Sequence, residues 1–136
     1  MMDTLLITHV IIGLAIIVLS IVILINLKSK SKILKVISSL NAALSWLLLY
    51  PSGKLYLTFY PATKNVINAG AWPWAHGVVM ETKEHWGLLI PIIATVAAFL
   101  IFKNKYKESK KWFILLIVLS ALIGLMGRLI KIGALK

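Results

Sequence analysis

The sequence predicts an all-α protein, an integral membrane antiparallel four-helix bundle. Three observations predict it. Of the 136 residues, 60% are hydrophobic and only 14% are charged. Soluble domains carry about a quarter charged residues, so this chain lacks the polar material to cover a globule. Long apolar runs recur four times, each near the ~20 residues that cross a bilayer core. Lysines gather between the first two runs and between the last two, and short basic loops mark the cytoplasmic side.

The first helix covers 5–27, running from Leu5 straight into a lysine cluster. It has no basic leader and is too long for a signal-peptide core, so it reads as a retained helix. The second covers 33–50 and is ended by Pro51-Ser52-Gly53, a turn signal. The segment 51–84 follows. In it, Leu55-Tyr56-Leu57-Thr58-Phe59-Tyr60 is rich in β-formers and reads as a short strand or an interfacial stretch. Ala71-Trp72-Pro73-Trp74-Ala75-His76 reads as an aromatic belt. The apolar part of the third helix covers 86–102. With Pro73 in a first helical turn, where its missing N–H costs nothing, that helix would cover 73–102. Pro91 is a candidate kink. The fourth helix covers 112–130, and the whole of 1–136 forms one transmembrane domain.

Lys28, Lys30, Lys32 and Lys35 form one basic loop, and Lys103, Lys105, Lys107, Lys110 and Lys111 form the other. With both loops cytoplasmic, both termini and 51–84 lie outside a multi-pass protein of the plasma (cytoplasmic) membrane. Short inner loops make sequential helices antiparallel. Thr8-His9-Val10-Ile11-Ile12-Gly13 and Glu84-His85-Trp86-Gly87-Leu88 each precede an apolar run, a lysine loop and a second run. The chain therefore reads as two His-headed helix-hairpin repeats.

The charge of +11 resides in those loops and comes with no groove-reading motif, so no nucleic acid partner is expected. Without cysteine there is no disulfide, thiolate metal site or covalent haem. No phosphate-binding loop or nucleophile elbow is present, so a stand-alone enzyme is not expected. Asn41, Ser45 and Thr95 are too sparse to line a transport path. Ser38, Ser39, Gly124 and Gly127 read as close-packing positions.

Three histidines carry the candidate chemistry: His9, His76 and His85. His9 and His85 head separate helices, and imidazoles at one depth suit axial ligation of a haem iron. The segment 76–85 is the densest in functional groups. His76 and Met80 are spaced i,i+4, a thioether–imidazole pair that suits copper. Glu81 and His85 share another face at i,i+4. His76 and His85 fall on opposite faces of a continuous helix, and the expectation is that His85 points into the core. The metal candidates are thus His9, His76, Met80, Glu81 and His85. Arg128, the only arginine, suits a carboxylate such as a haem propionate. The plainer readings are a solvated helix start for 76–85, snorkelling for Arg128 and belt anchoring for Tyr50, Tyr56 and Tyr60. Those tyrosines would otherwise line a quinol site or a haem edge.

The stretch Tyr60-Pro61 … Trp72-Pro73-Trp74-Ala75-His76 … Met80-Glu81-Thr82-Lys83-Glu84-His85 resembles a pattern in small prokaryotic membrane proteins of no assigned activity. Through helix count, His9 and His85, the chain is also loosely similar to the four-helix b-type cytochromes of energy-transducing membranes. That resemblance implies an electron-transfer module holding haem b near the outer face, with His9, His85 and Arg128 at the cofactor. Copper or another transition metal is the alternative cofactor. The lipid bilayer, a quinone, a respiratory complex and a second copy of the chain are the partners to consider. The competing expectation is a cofactor-free accessory or assembly subunit of a larger membrane complex. Three histidines support at most one bis-histidine haem.

Overall fold

The computed structural model describes the whole chain, Met1–Lys136. It is all-α, with 89% of residues helical. Four helices are long and apolar enough to cross a membrane: α1 (Met2–Ser29), α2 (Ile33–Ala69), α3 (Ala75–Phe102) and α4 (Tyr106–Gly133). Each packs on two others, α1 on α2 and α4, and α3 on the same two.

The lysine loops become two tight turns of the same design. Each places one non-glycine residue in the left-handed region, Lys30 at φ 50° and Asn104 at φ 58°. Asparagine enters that region readily; lysine does so less often. The two turns lie side by side, because the Tyr106 hydroxyl reaches the Lys30 carbonyl at 3.5 Å and the Lys35 ammonium sits over the Phe102 ring. This is the basic end of the molecule.

At the other, aromatic end α2 does not stop at Pro51. Its helix runs on to Ala69, so the expected turn and the expected strand at 55–60 are both replaced by helix. The chain slips once at Leu48 and restarts as Leu49–Lys54. Pro51 thus lies in a first turn, where it has no N–H to lose. Both the Ser52 amide and its hydroxyl bond the Leu48 carbonyl, at 3.2 and 2.7 Å. A lone strand would leave its backbone groups unpaired, whereas a helix pairs them internally.

Two stretches are wound more widely than an α-helix: Leu55–Phe59 in α2 and Ala75–Met80 at the start of α3. Such turns are rare and often sit at functional sites. Gly70 to Trp74 joins the two helices. Gly133 lets the end of α4 lie against the start of α3, since a Cβ there would come within 2.8 Å of the Ala75 Cβ.

The interior divides in two. One cluster fills the basic half and the middle, with Ile16, Ile23, Leu34, Ala97, Ile101, Phe113 and Leu116 fully buried. A smaller cluster lies at the aromatic end and joins Tyr60, Ile67, Ala75, Val79, Met80 and Ile130. Between helices α1 and α2, the Asn41 amide donates to the Ser20 hydroxyl at 2.8 Å.

Candidate functional site

Three functional groups converge at the aromatic end. Tyr60 directly follows the wide stretch of α2, and His76 lies inside the wide stretch of α3. The Tyr60 Oη and His76 Nδ1 are 2.9 Å apart and buried. The other ring nitrogen, Nε2, is 3.7 Å from Glu81 Oε1, a charge contact rather than a hydrogen bond. A carboxylate beside Nε2 favours the proton there, which leaves Nδ1 to accept from the Tyr60 hydroxyl. The Glu81 side chain is 46% exposed and that of His76 only 11%. A phenol, an imidazole and a carboxylate therefore lead from the interior to the surface. Tyr56 stacks on Tyr60 with ring centroids 5.5 Å apart.

His9, half-buried in α1, pairs instead with Ser52 of α2: Nδ1 and Oγ are 2.9 Å apart. The single Ser52 hydroxyl proton goes to the Leu48 carbonyl, so Ser52 accepts and His9 Nδ1–H donates. That fixes the tautomer and leaves His9 Nε2 with a free lone pair. Ser52 stands one turn beyond Leu48 because the helix continues through Pro51.

His85 has the same tautomer for a different reason. Its Nδ1 lies 2.7 Å from the Glu81 carbonyl, which can only accept, so Nε2 again is free. The side chain is exposed. His9 and His85 thus bond to Ser52 and to their own helix respectively, not to one another. The opposite-face geometry of His76 and His85 is present, with His76 buried and His85 outward. The core-facing role expected of His85 falls to His76, because Ala75, His76, Val79 and Met80 form the face of α3 that meets Tyr60 and Ile130.

Met80 is buried in the smaller cluster. Arg128 is exposed on α4 and makes no hydrogen bond or ion pair. No three His, Cys, Asp or Glu side chains converge. His9, His76 and His85 stand apart, each with its own partner. Residues one turn beyond His9 and near His85, Ile12 and Ile90, already pack in the larger cluster. An open cleft of about 400 Å³ lies between the start of α1 and the middle of α2, lined by Leu5, Tyr50, Lys54 and Phe59 among others. No histidine lines it.

The sequence reading passed over Ser52, Lys83 and the polar role of Tyr60. Ser52 sits in an apparent turn signal, and its partner His9 is 43 residues away. Tyr60 precedes His76 by 16 residues, a spacing with no local periodicity. Lys83 had one visible signal: it is a cation on a stretch that continues directly into an apolar helix. In the fold its stem lies where a Cβ at Gly127 would be 3.6 Å from Lys83 Cε. The comparisons with known proteins find no match to this chain among family models, curated proteins or solved structures.

Proposed function

We propose that the chain is a membrane-inserted, antiparallel four-helix bundle of the plasma membrane, and that it serves electron transfer as a proton-handling module at its outer face. Insertion is supported by the outward faces. Ile25 is 74% exposed, Val36 67% and Leu125 63%. Helices apolar both inside and outside suit a hydrocarbon solvent, not water. The paired lysine turns support a cytoplasmic basic end and termini outside.

The electron-transfer reading is carried by one observation, the line Tyr60–His76–Glu81, buried at Tyr60 and His76 and open at Glu81. Changing the charge of a redox group in a low-dielectric site is costly unless a proton moves with the electron. A hydroxyl bonded to an imidazole that faces a half-exposed carboxylate supplies such a path. The redox group itself would be haem b, a transition metal or an organic carrier at this end.

The test is a redox titration of the detergent-purified protein with whatever group it retains. A proton-coupled group shows a midpoint that falls by ~59 mV per pH unit for a one-electron, one-proton change. Tyr60→Phe and His76→Phe should flatten that slope. A preparation from native membranes with no haem, metal or quinone would sink the reading and leave the cofactor-free accessory or assembly subunit. Orientation is checked separately: replacing the lysines of both turns by glutamine should scramble the accessibility of a C-terminal tag.

A further inference from the structure

Four lysines in the first turn and five in the second stand at one end of the molecule, with Glu108 the only acid among them. Tyr106 ties the turns together. Its hydroxyl is 3.5 Å from the Lys30 carbonyl and 3.2 Å from Asn104 Oδ1. Like charges held this closely repel, and the chain does little to offset them. Glu108 lies 3.6 Å from Lys105, and no other lysine of the two turns has a carboxylate partner.

Between the turns is an open cleft of about 290 Å³. Lys30 lines it from the first turn, and Asn104, Lys105, Tyr106, Lys107 and Glu108 line it from the second. Tyr106 is the only hydrophobic residue of this lining, so the cleft suits a polar ligand. Its ammonium groups donate and cannot accept. A phosphate, an anion with several acceptor oxygens, meets that excess of donors.

The surroundings decide what carries the phosphate. The Lys35 ammonium lies 5.8 Å from the Phe102 ring centroid, and that of Lys103 lies 5.6 Å from the Phe99 centroid. Cations therefore fringe the end of an apolar face that stops two residues before Asn104. Phe99 and Phe102 of α3 are exposed, as are Ile33 and Val36 of α2. A molecule with a phosphate in the cleft and aliphatic chains on these faces satisfies both surfaces. Basic pockets between membrane helices at the cytoplasmic side recognise lipid head groups in this way.

We propose that the cleft between the lysine turns binds the phosphate of an anionic phospholipid, with the acyl chains along the outward faces of α2 and α3. This goes beyond the electron-transfer reading and rests only on the membrane insertion proposed with it. Lys30 and Lys107 hold the phosphate from the two turns. Glu108 limits the affinity, since its carboxylate repels the phosphate and occupies Lys105. A choline lipid is disfavoured, because its ammonium brings to the cleft the charge already there.

The experiment is native mass spectrometry of the detergent-purified full chain, titrated with phosphatidylglycerol, phosphatidylcholine or soluble glycerol phosphate. One saturable copy of phosphatidylglycerol is expected, bound about tenfold more tightly than phosphatidylcholine. Lys30→Gln and Lys107→Gln should each weaken it about fivefold, the effect of one lysine near a charged head group. Lys28→Gln and Lys111→Gln make the same change of charge outside the cleft and should cost about twofold at most, because salt screens them. Glu108→Gln should tighten binding.

Equal binding of the two lipids overturns the proposal. Equal losses from the lysines inside and outside the cleft also overturn it, since they would show diffuse attraction without a site. Glycerol phosphate that displaces the lipid at matched ionic strength would make this a site for a soluble anion and reject the lipid. If Lys30→Gln disturbs its turn, Glu108→Gln decides, and unchanged affinity there rejects the site. Flotation with phosphatidylcholine vesicles tests insertion separately. A chain that floats but does not prefer phosphatidylglycerol rejects this site alone; a chain that does not float rejects the membrane reading and the proposal together.

Discussion

The two interior clusters are built from different materials. The larger, toward the basic end, joins isoleucines, leucines, alanines and Phe113, with the buried pair Asn41–Ser20 beside it. The smaller, at the aromatic end, buries Tyr60 and Met80 next to His76 and is flanked by both widely wound stretches. Dispersion and close packing hold the first together, and any filling of the right shape serves it. The second is held in part by directed bonds, which have one correct arrangement. A chain that needed only to stand in a membrane would gain little from the second kind. At the aromatic end the directed bond joins titratable groups, Tyr60 and His76; toward the basic end it joins an amide and a hydroxyl, Asn41 and Ser20.

The contrast can be broken by four measurements. The largest effect is expected from Phe113→Ala. Phe113 is fully buried in the larger cluster, and its removal should cost about 3–5 kcal/mol. Reversible unfolding in mixed detergent micelles measures it. The nuclear magnetic resonance signals of His76 should meanwhile stay as in the parent; a shift would show that the two clusters are one unit.

Tyr60→Phe should cost about 1–3 kcal/mol, because His76 Nδ1 is left buried without its donor. The same unfolding assay applies, and the His76 ring resonances should move. An unchanged His76 would mean that the bond is not formed in the membrane.

A smaller loss, about 1 kcal/mol, is expected for Asn41→Leu, which removes the amide bonded to Ser20. Asn41 Oδ1 is buried without a partner, so its loss offsets part of the penalty. A gain in stability would show that Asn41 is retained for something other than helix pairing.

Least of all should happen at the basic end. Lys105 and Glu108 are 3.6 Å apart with both side chains more than half exposed. Lys105→Ala should therefore change stability by less than about 0.5 kcal/mol. A larger loss would mean that the lysine turns act as an ordered network and would erase the contrast between the ends.

Much of the architecture was legible in the residues. The four apolar runs, the two lysine turns and the helical character of the whole follow from composition and from where the charges stand. The helix through Pro51 was not legible. The triplet Pro51-Ser52-Gly53 is a turn signal in water, and it is overruled because Pro51 falls in the first turn after the slip at Leu48. Of the two readings of 55–60, a strand or an interfacial stretch, the strand failed for a related reason. β-forming residues make a strand only where a second strand pairs with them, and here the neighbours are helices.

The candidate site was legible only as a set of letters. Sequence drew attention to 76–85 and to His9, and it placed His76 and His85 on opposite faces. It put the inner face on the wrong side, expecting His85 rather than His76 in the core. That choice depends on where the extended end of α2 lies, since Tyr60 bonds the buried His76 from there. The partners of each histidine are equally non-local: Ser52 for His9 and Tyr60 for His76. By itself the sequence determined a chain of four long apolar helical runs with charged turns, because hydropathy and charge are additive along a chain. The tertiary structure alone decided which imidazole is buried and which nitrogen is free. Hydrogen bonds are directional, and their donors and acceptors come from helices that meet only once the chain has folded.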